Sequence, residues 1–161
     1  MHPRAAELIE TLRLEPHPEG GRYRRVYIST SQLVYNDATR PAVTAIHYLL
    51  CSGEVSRWHS IDADEIWQHH EGDALELMLF DAAADKLERH RLGRNDAATE
   101  TRSLVGVPAG IWQAARPLGD FALVGCSVAP GFDFAGFALL DSDSAALHSL
   151  TQAAPGLLAY R

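Results

Sequence analysis

Residues 53–73, which read GEVSRWHSIDADEIWQHHEGD, are the most informative segment of the sequence. Two alternating runs flank the polar loop SIDAD, and alternation of this kind is typical of half-buried β-strands. Paired as a hairpin, the runs would place His59 opposite Glu65, with Cβ atoms about 5 Å apart on one face. Arg57 and Trp67 would form the next pair on that face. We therefore expect a polar face that needs solvent or a lined cavity, because unpaired charge is costly in an apolar interior.

Short β-branched or aromatic runs of the same kind recur along most of the chain, separated by turns rich in Pro, Gly, Asn and Asp. They span residues 22–29, 42–50, 54–59, 65–70, 75–80, 86–92, 100–107, 111–115, 121–129 and 132–140. Helical spacing is confined to residues 3–12 and to a C-terminal segment that Ser142 or Ser144 can cap. Many short strands with helices only at the ends predict an all-β jelly roll.

The composition is that of an acidic chain with enough apolar residues for one core. Of its 161 residues 47% are hydrophobic, and the net charge of −7 disfavours a nucleic acid or an anionic membrane surface as a general partner. No apolar run approaches the roughly 18 residues of a membrane span, and the N-terminus lacks the apolar stretch of a signal peptide. Cys51 and Cys126 lie in apolar runs, which is typical of reduced, buried thiols. We therefore expect a cytoplasmic protein.

The residue types around His59 leave three interpretations open. An imidazole and a carboxylate at Glu65 together suit a divalent transition metal. The same pair suits acid/base chemistry, with Glu65 orienting His59 and raising its basicity. An Arg-Glu-His polar cluster can also simply close the mouth of a sandwich. Glu19, in PHPEGG, could reach across that mouth, but turn geometry alone explains its neighbours.

Two spaced motifs resemble those of the cupin superfamily. The first motif matches Gly53, His59, Ile61, Glu65 and Gly72, and the second matches the segment PAGIWQ at residues 108–113. More closely, PHPEGGRYRR, EIWQHHEGD, VPAGIWQAAR and VGCSVAPGFDFAGF resemble, in this order, a compact branch called cupin family five. The resemblance implies a cupin-type double-stranded β-helix, or jelly-roll barrel, with short N- and C-terminal helices. We expect residues 1–161 to form one cupin domain with a barrel core at about 20–140.

The resemblance also implies a metal site that this sequence only half retains. Metal-binding cupins would place their ligands at His59, Ile61, Glu65 and Gln113, of which only His59 and Glu65 keep strong ligand chemistry. We therefore expect no tightly bound metal and no other cofactor. A divalent transition metal, if one binds, would use His59, Glu65 and Gln113, or a further ligand from His69 or His70.

We expect a small polar or anionic metabolite in the barrel pocket. Its predicted site comprises His59 and Glu65 as catalytic groups and Arg24, Trp67, Trp112 and Gln113 as ligand-binding groups. One alternative is a metal-independent sugar or sugar-nucleotide isomerase or epimerase, with His59 as base and Tyr48 or Tyr27 as acid. A second is a metal-dependent dioxygenase or isomerase. Whether the chain is an enzyme stays open, and exposed strand edges favour a homodimer.

Overall fold

The computed structural model of the chain describes residues 1–140 and 145–160. The strands are β1 (Glu15–Pro16), β2 (Arg22–Ile28), β3 (Gln32–Tyr35), β4 (Ala38–Pro41), β5 (Thr44–Cys51), β6 (Ser56–Ile61), β7 (Asp64–Gly72), β8 (Leu75–Asp81), β9 (Lys86–Leu92), β10 (Leu104–Val107), β11 (Trp112–Pro117), β12 (Phe121–Ala129) and β13 (Phe137–Leu139). The helices are α1 (Pro3–Thr11) and α2 (Ala145–Ala153), with 3-10 turns at Phe134–Gly136 and Pro155–Tyr160. Ser142 and Ser144, the predicted caps of α2, lie outside the described residues.

Two antiparallel sheets pack face to face, which confirms the predicted all-β class. One has the strand order β1-β2-β5-β12-β7-β10 and the other β13-β6-β11-β8-β9. The predicted strand runs correspond to β2 and β5–β13. The hairpin of β3 and β4 was not predicted. Its turn residues Asn36 and Asp37 have left-handed φ values of 49° and 62°, the conformation that two-residue hairpin turns require.

The predicted hairpin of His59 and Glu65 is wrong, because β6 and β7 belong to different sheets. His59 on β6 pairs with Gln113 of β11, whereas Glu65 on β7 pairs with Val128 of β12. The two residues between the strands carry the chain from one sheet to the other. His59 and Glu65 consequently project into the space between the sheets from opposite sides.

Three apolar layers hold this arrangement together. The largest cluster fills the space between the sheets, around Trp67 and Tyr48. A second covers the outer side of the five-stranded sheet, where Trp58 and Trp112 pack with α2. A third seats Leu8 of α1 on the outer side of the six-stranded sheet. Within the described ranges, no helix is long and apolar enough to cross a membrane.

Candidate functional site

A cavity of about 40 Å³ opens between the two sheets. Its polar lining comprises His17, Glu19, Tyr23, Arg25, Thr44, His59 and Glu65. Its other walls are Ile46, Ile61, Cys126, Val128, Phe132, Phe134 and Phe137. Buried ionisable groups and apolar walls are therefore combined in one enclosed space.

Glu19 and His59 are in direct contact at the base of this cavity. His59 Nε2 lies 3.2 Å from Glu19 Oε2, and the other ring nitrogen, Nδ1, lies 2.7 Å from the backbone oxygen of Arg57. A carbonyl oxygen only accepts, so Nδ1 carries a hydrogen in this contact. The Ser56 hydroxyl donates to the second Glu19 oxygen at 3.0 Å. Nε2 and the carboxyl group are therefore close enough for a proton to pass between them.

The loop between β1 and β2 brings Glu19 to this position. The Arg57 N–H donates to the Glu19 backbone oxygen at 2.8 Å, and the Tyr48 hydroxyl donates to the Gly20 oxygen at 2.7 Å. Gly20 has a φ of 113°, and a Cβ atom there would lie 2.1 Å from the backbone oxygen of Val55. Only glycine allows the loop to approach β6 this closely.

Glu65 is held by a chain of two side-chain hydrogen bonds. The Gln113 amide nitrogen donates to Glu65 Oε2 at 2.6 Å, and the Trp67 indole N–H donates to the Gln113 amide oxygen at 3.0 Å. The indole can only donate, which fixes the orientation of the Gln113 amide. Gln113 therefore acts as a positioning residue for the Glu65 carboxylate.

Burial is the main cause of the pKa shifts in this group of residues. It raises the pKa of Glu19, raises the pKa of Glu65 to about 6, and lowers the pKa of His59. The charges of His59 and Glu65 oppose burial in part, since each favours the charged form of the other. Burial therefore favours the protonated form of Glu19 and the neutral form of His59.

Three phenylalanine rings cover the apolar side of the cavity. Phe132, Phe134 and Phe137 pack edge to face, with centroids 5.0 to 6.2 Å apart. The Phe137 ring also stacks on His59, at 5.6 Å and an interplanar angle of 29°. Phe134 is 54% exposed, so one ring of this aromatic cover faces solvent.

The structure brings His59 and Glu65 together but not the other predicted ligand-binding residues. Gln113 and Trp67 are fully buried behind Glu65 and do not line the cavity. Trp112 lies on the opposite side of its sheet, because strand alternation turns it away from Gln113. Arg24 points outwards and pairs with Glu15 at 3.0 Å. The expectation that Arg24, Trp67, Trp112 and Gln113 line the pocket is therefore corrected.

Glu19, His17 and Arg25 line the cavity without having been predicted as site residues. Glu19 lies in a loop whose glycines have a purely conformational explanation, and only the close approach to β6 reveals its role. Arg25 could have been found from the sequence, since it alternates with Arg24 and shares a strand face with Tyr23. Both Tyr23 and Arg25 do line the cavity.

The side chains present do not fit the metal site that the fold family implies. The Gln113 amide oxygen, its only ligand atom, accepts the indole hydrogen of Trp67, and Ile61 offers no ligand atom at all. His59 uses Nδ1 on a backbone oxygen and directs Nε2 at Glu19. Across residues 1–140 and 145–160, no three His, Cys, Asp or Glu side chains are placed to hold one metal ion.

Comparison with known proteins places the chain among the cupins. Residues 6–140 match the family described as "Cupin superfamily (DUF985)". No functionally curated protein matches the sequence. A solved protein from Shewanella oneidensis is 35% identical, with a TM-score of 0.85 over 97% of this chain and 96% of its own. A protein from Leishmania major is 26% identical, with a TM-score of 0.81 over 94% and 92%.

More distant structures share the fold alone. The oxalate decarboxylase of Bacillus subtilis is 15% identical and has a TM-score of 0.58 over 79% of this chain. The match covers only 30% of that enzyme's chain. The family match extends over most of the sequence, and the two sheets have the expected architecture. This chain therefore belongs to the DUF985 family of the cupin superfamily.

Proposed function

We propose that this chain is a single cupin domain that binds a small polar or anionic metabolite and moves a proton on it without a tightly bound metal. The observation that carries the proposal is the contact between Glu19 and His59. A carboxyl group and an imidazole lie 3.2 Å apart inside a cavity, and Glu65 lines the same cavity with a pKa raised to about 6, close to the working range of a general acid or base. Perturbed pKa values of this kind cluster at functional sites.

His59, Glu19 and Glu65 each have one role in the proposed proton transfer. The neutral His59 takes a proton from the ligand at Nε2, and the carboxylic acid of Glu19 gives its proton to a ligand oxygen. A carbonyl compound with a hydrogen on the adjacent carbon would thereby become an enol. A proton delivered to the opposite face of that carbon, with return of the enol proton to Glu19, would complete an epimerisation. If that carbon carries a hydroxyl group, a proton delivered to the former carbonyl carbon, with loss of the hydroxyl proton, would complete an isomerisation. The Glu65 carboxylate stabilises the imidazolium form of His59 that the first transfer creates.

Glu19 replaces tyrosine as the proposed acid of the isomerase hypothesis. The Tyr48 hydroxyl already donates to the Gly20 oxygen, and burial raises its pKa well above the ordinary value. Tyr27 lies half exposed at the end of β2 and does not line the cavity. Neither hydroxyl is therefore as well placed to release a proton as the Glu19 carboxyl group.

Binding without turnover is the second candidate function. The loss of two of the four metal-ligand positions of the fold family, at Ile61 and Gln113, favours it. In that case, the carboxyl groups and His59 would recognise hydroxyl or carbonyl groups by hydrogen bonds alone. A metal-dependent dioxygenase or isomerase would need a third ligand that shares one ion with His59 and Glu65, and no such group of three side chains occurs among the described residues.

Solvent deuterium distinguishes these functions. The protein is stripped with EDTA and incubated in D₂O with a panel of hydroxy acids, sugar phosphates and sugar nucleotides, and mass spectrometry then detects deuterium on carbon. We expect uptake into at least one compound and a loss of about a hundredfold or more in His59→Gln. Glu71→Gln, on the same strand as Glu65 but outside the cavity, should keep the activity.

Three outcomes would contradict parts of this proposal. Undiminished uptake in His59→Gln would show that His59 is not the base. A panel compound that stabilises the protein thermally but takes up no deuterium would instead support binding without turnover. Activity that appears only after addition of one particular metal would establish the metal-dependent alternative.

The homodimer and the cytoplasmic location stay predictions. A sheet edge favours the dimer, since β1 covers only Arg22 and Tyr23 of β2. Beyond them Val26, Tyr27 and Ile28 are each about half exposed, and such an edge is commonly protected by pairing. Size-exclusion chromatography with light scattering should give twice the mass of the chain, and a monomer at high micromolar concentration would reject the dimer.

A further inference from the structure

Arg25 is a cation of the pocket without an acidic partner. It lies on β2 and lines the cavity together with Tyr23. Its backbone pairs with Ile46 of β5, which also lines the cavity, whereas Arg24 pairs with the outward-facing His47. The alternation of the strand thus directs Arg25 to the pocket and its neighbour Arg24 to the outer face.

The other arginines near the pocket are already engaged. Arg22 pairs with Glu54 at 2.7 Å, Arg24 with Glu15 at 3.0 Å, and the Arg57 guanidinium donates to the Pro18 backbone oxygen. Among the residues that the structure describes, none forms a hydrogen bond or an ion pair with the Arg25 side chain. Its guanidinium therefore retains its donors for a ligand.

Arg25 lies at the edge of the cavity rather than at its base. It is solvent-exposed and also lines the shallow groove that runs along the free edge of β2. Glu19, His59 and Glu65 are all nearly fully buried. A ligand that reached both ends would have one group in the solvent-facing mouth and another against the buried acids, with Ile46 and the phenylalanine rings along its body.

The charges of the pocket determine which end of such a ligand is anionic. At the base, the Glu65 carboxylate would repel an anionic group of the ligand. At the mouth, the guanidinium of Arg25 matches the two oxygens of a carboxylate or a phosphate. The geometry points to Arg25 as the residue that selects ligands with an anionic group at one end and a hydroxyl or carbonyl group at the other.

This inference rests on the proposed function, since it names the class of ligand for the same pocket. A carboxylate and a phosphate share the chemistry that Arg25 recognises, and the two kinds of ligand are tested separately. Lactate supplies the carboxylate and propylene glycol its uncharged counterpart. Glycerol phosphate supplies the phosphate and glycerol its uncharged counterpart.

The test measures binding of these four compounds by NMR titration of the isotope-labelled protein. We expect lactate, glycerol phosphate or both to shift the signals of Arg25 and of residues around His59, and to bind more tightly than the uncharged counterpart. Arg25→Gln should weaken binding of the anion about tenfold or more, since a hydrogen bond between charged groups is lost. This substitution should leave the binding of the uncharged compound unchanged. Arg24→Gln is the matched control and should bind like the unsubstituted protein.

Several results would overturn the inference. They are equal binding of charged and uncharged compounds, an equal loss in Arg24→Gln and Arg25→Gln, and the absence of any shift at Arg25 up to high millimolar concentrations. The measurement needs no turnover, so it is independent of the deuterium experiment. Anion binding through Arg25 together with no deuterium uptake would reject proton transfer and retain the ligand class. Deuterium uptake without anion binding through Arg25 would reject only the role of Arg25.

Discussion

His59 Nε2 lies 3.2 Å from Glu19 Oε2, while Nδ1 of the same ring lies 2.7 Å from the Arg57 backbone oxygen. The backbone contact fixes one tautomer, and the carboxyl contact brings the other ring nitrogen within reach of the Glu19 proton. Burial lowers the pKa of His59 and raises that of Glu19. The arrangement therefore stores an acid and a base side by side in uncharged form, which is what an enclosed cavity tolerates best.

The buried carboxylate of Glu65 should make the fold less stable as pH rises. Its pKa is raised from 4.5 to about 6, so the folded state holds the proton more tightly than the unfolded chain across that window. Stability then falls as pH increases through it, and the cost is complete above the folded pKa. As the pH rises from about 4 to 7, the free energy of unfolding of Glu65→Gln should increase by on the order of 2 kcal/mol relative to that of the unsubstituted protein. Urea unfolding measures this difference.

Glu71→Gln is the control for this prediction, with the opposite sign. Arg4 donates to the Glu71 carboxylate at 2.6 and 3.0 Å and lowers its pKa. That pair stabilises the fold above the ordinary carboxyl pKa, and the stabilisation is lost as pH falls. Because both side chains are more than a third exposed, the effect should stay below about 1 kcal/mol. Equal pH profiles for the two variants would contradict the account of Glu65.

Gln113→Leu should raise the pKa of Glu65 further above about 6. The substitution removes the hydrogen bond that favours the charged carboxylate, and it leaves the Trp67 N–H without its acceptor. We expect a stability loss of about 1–3 kcal/mol for the unsatisfied groups. Carbon-detected NMR titration of Glu65 measures the pKa. Gln68→Leu, at an exposed position of β7, is the control, and an unchanged Glu65 titration in Gln113→Leu would rule out the positioning role.

Gly20→Ala should displace Glu19 from His59. The new Cβ would lie 2.1 Å from the Val55 oxygen at a φ that other residues avoid. We expect a loss of about 2–4 kcal/mol in denaturant unfolding and a change in the NMR signals of the His59 ring.

Gly53→Ala separates backbone strain from the steric clash. Gly53 also has a left-handed φ, of 83°, but open space surrounds the position of its Cβ. Gly53→Ala should lower the free energy of unfolding by only about 1–2 kcal/mol and leave the NMR signals of His59 unchanged. If Gly20→Ala behaved the same way, the tight approach of the loop to β6 would have no role in placing Glu19.

The sequence predicts the strands well and their partners poorly. Alternation locates β6 and β7 because it is a local property, but their partners are set by contacts over long distances in the chain. His59 and Glu65 were paired in a hairpin because they flank a short loop, whereas they meet across the sandwich. The hydrogen bond of Gln113 with Glu65 joins residues 48 positions apart, and no local pattern shows it.

Glu19 illustrates why the site itself was only half predicted. Its neighbours explain a turn without reference to function, and the approach of that turn to β6 depends on space that only the folded chain defines. Arg25 is the opposite case, since its alternation with Arg24 is visible in the sequence but does not show which of the two faces inwards. Which face of β2 points inwards depends on the register with β5, and that register is a tertiary property.

Site-specific NMR titration of His59 and Glu65 in the EDTA-treated protein tests the central claim most directly. We expect a neutral His59 at pH 7 with the hydrogen on Nδ1, a His59 midpoint below the ordinary 6.5, and a Glu65 midpoint of about 6. Glu65→Gln should lower the His59 midpoint further, because the carboxylate favours the charged ring. A His59 that titrates near 6.5 with both tautomers populated, beside a Glu65 that titrates near 4.5, would contradict a buried acid/base site.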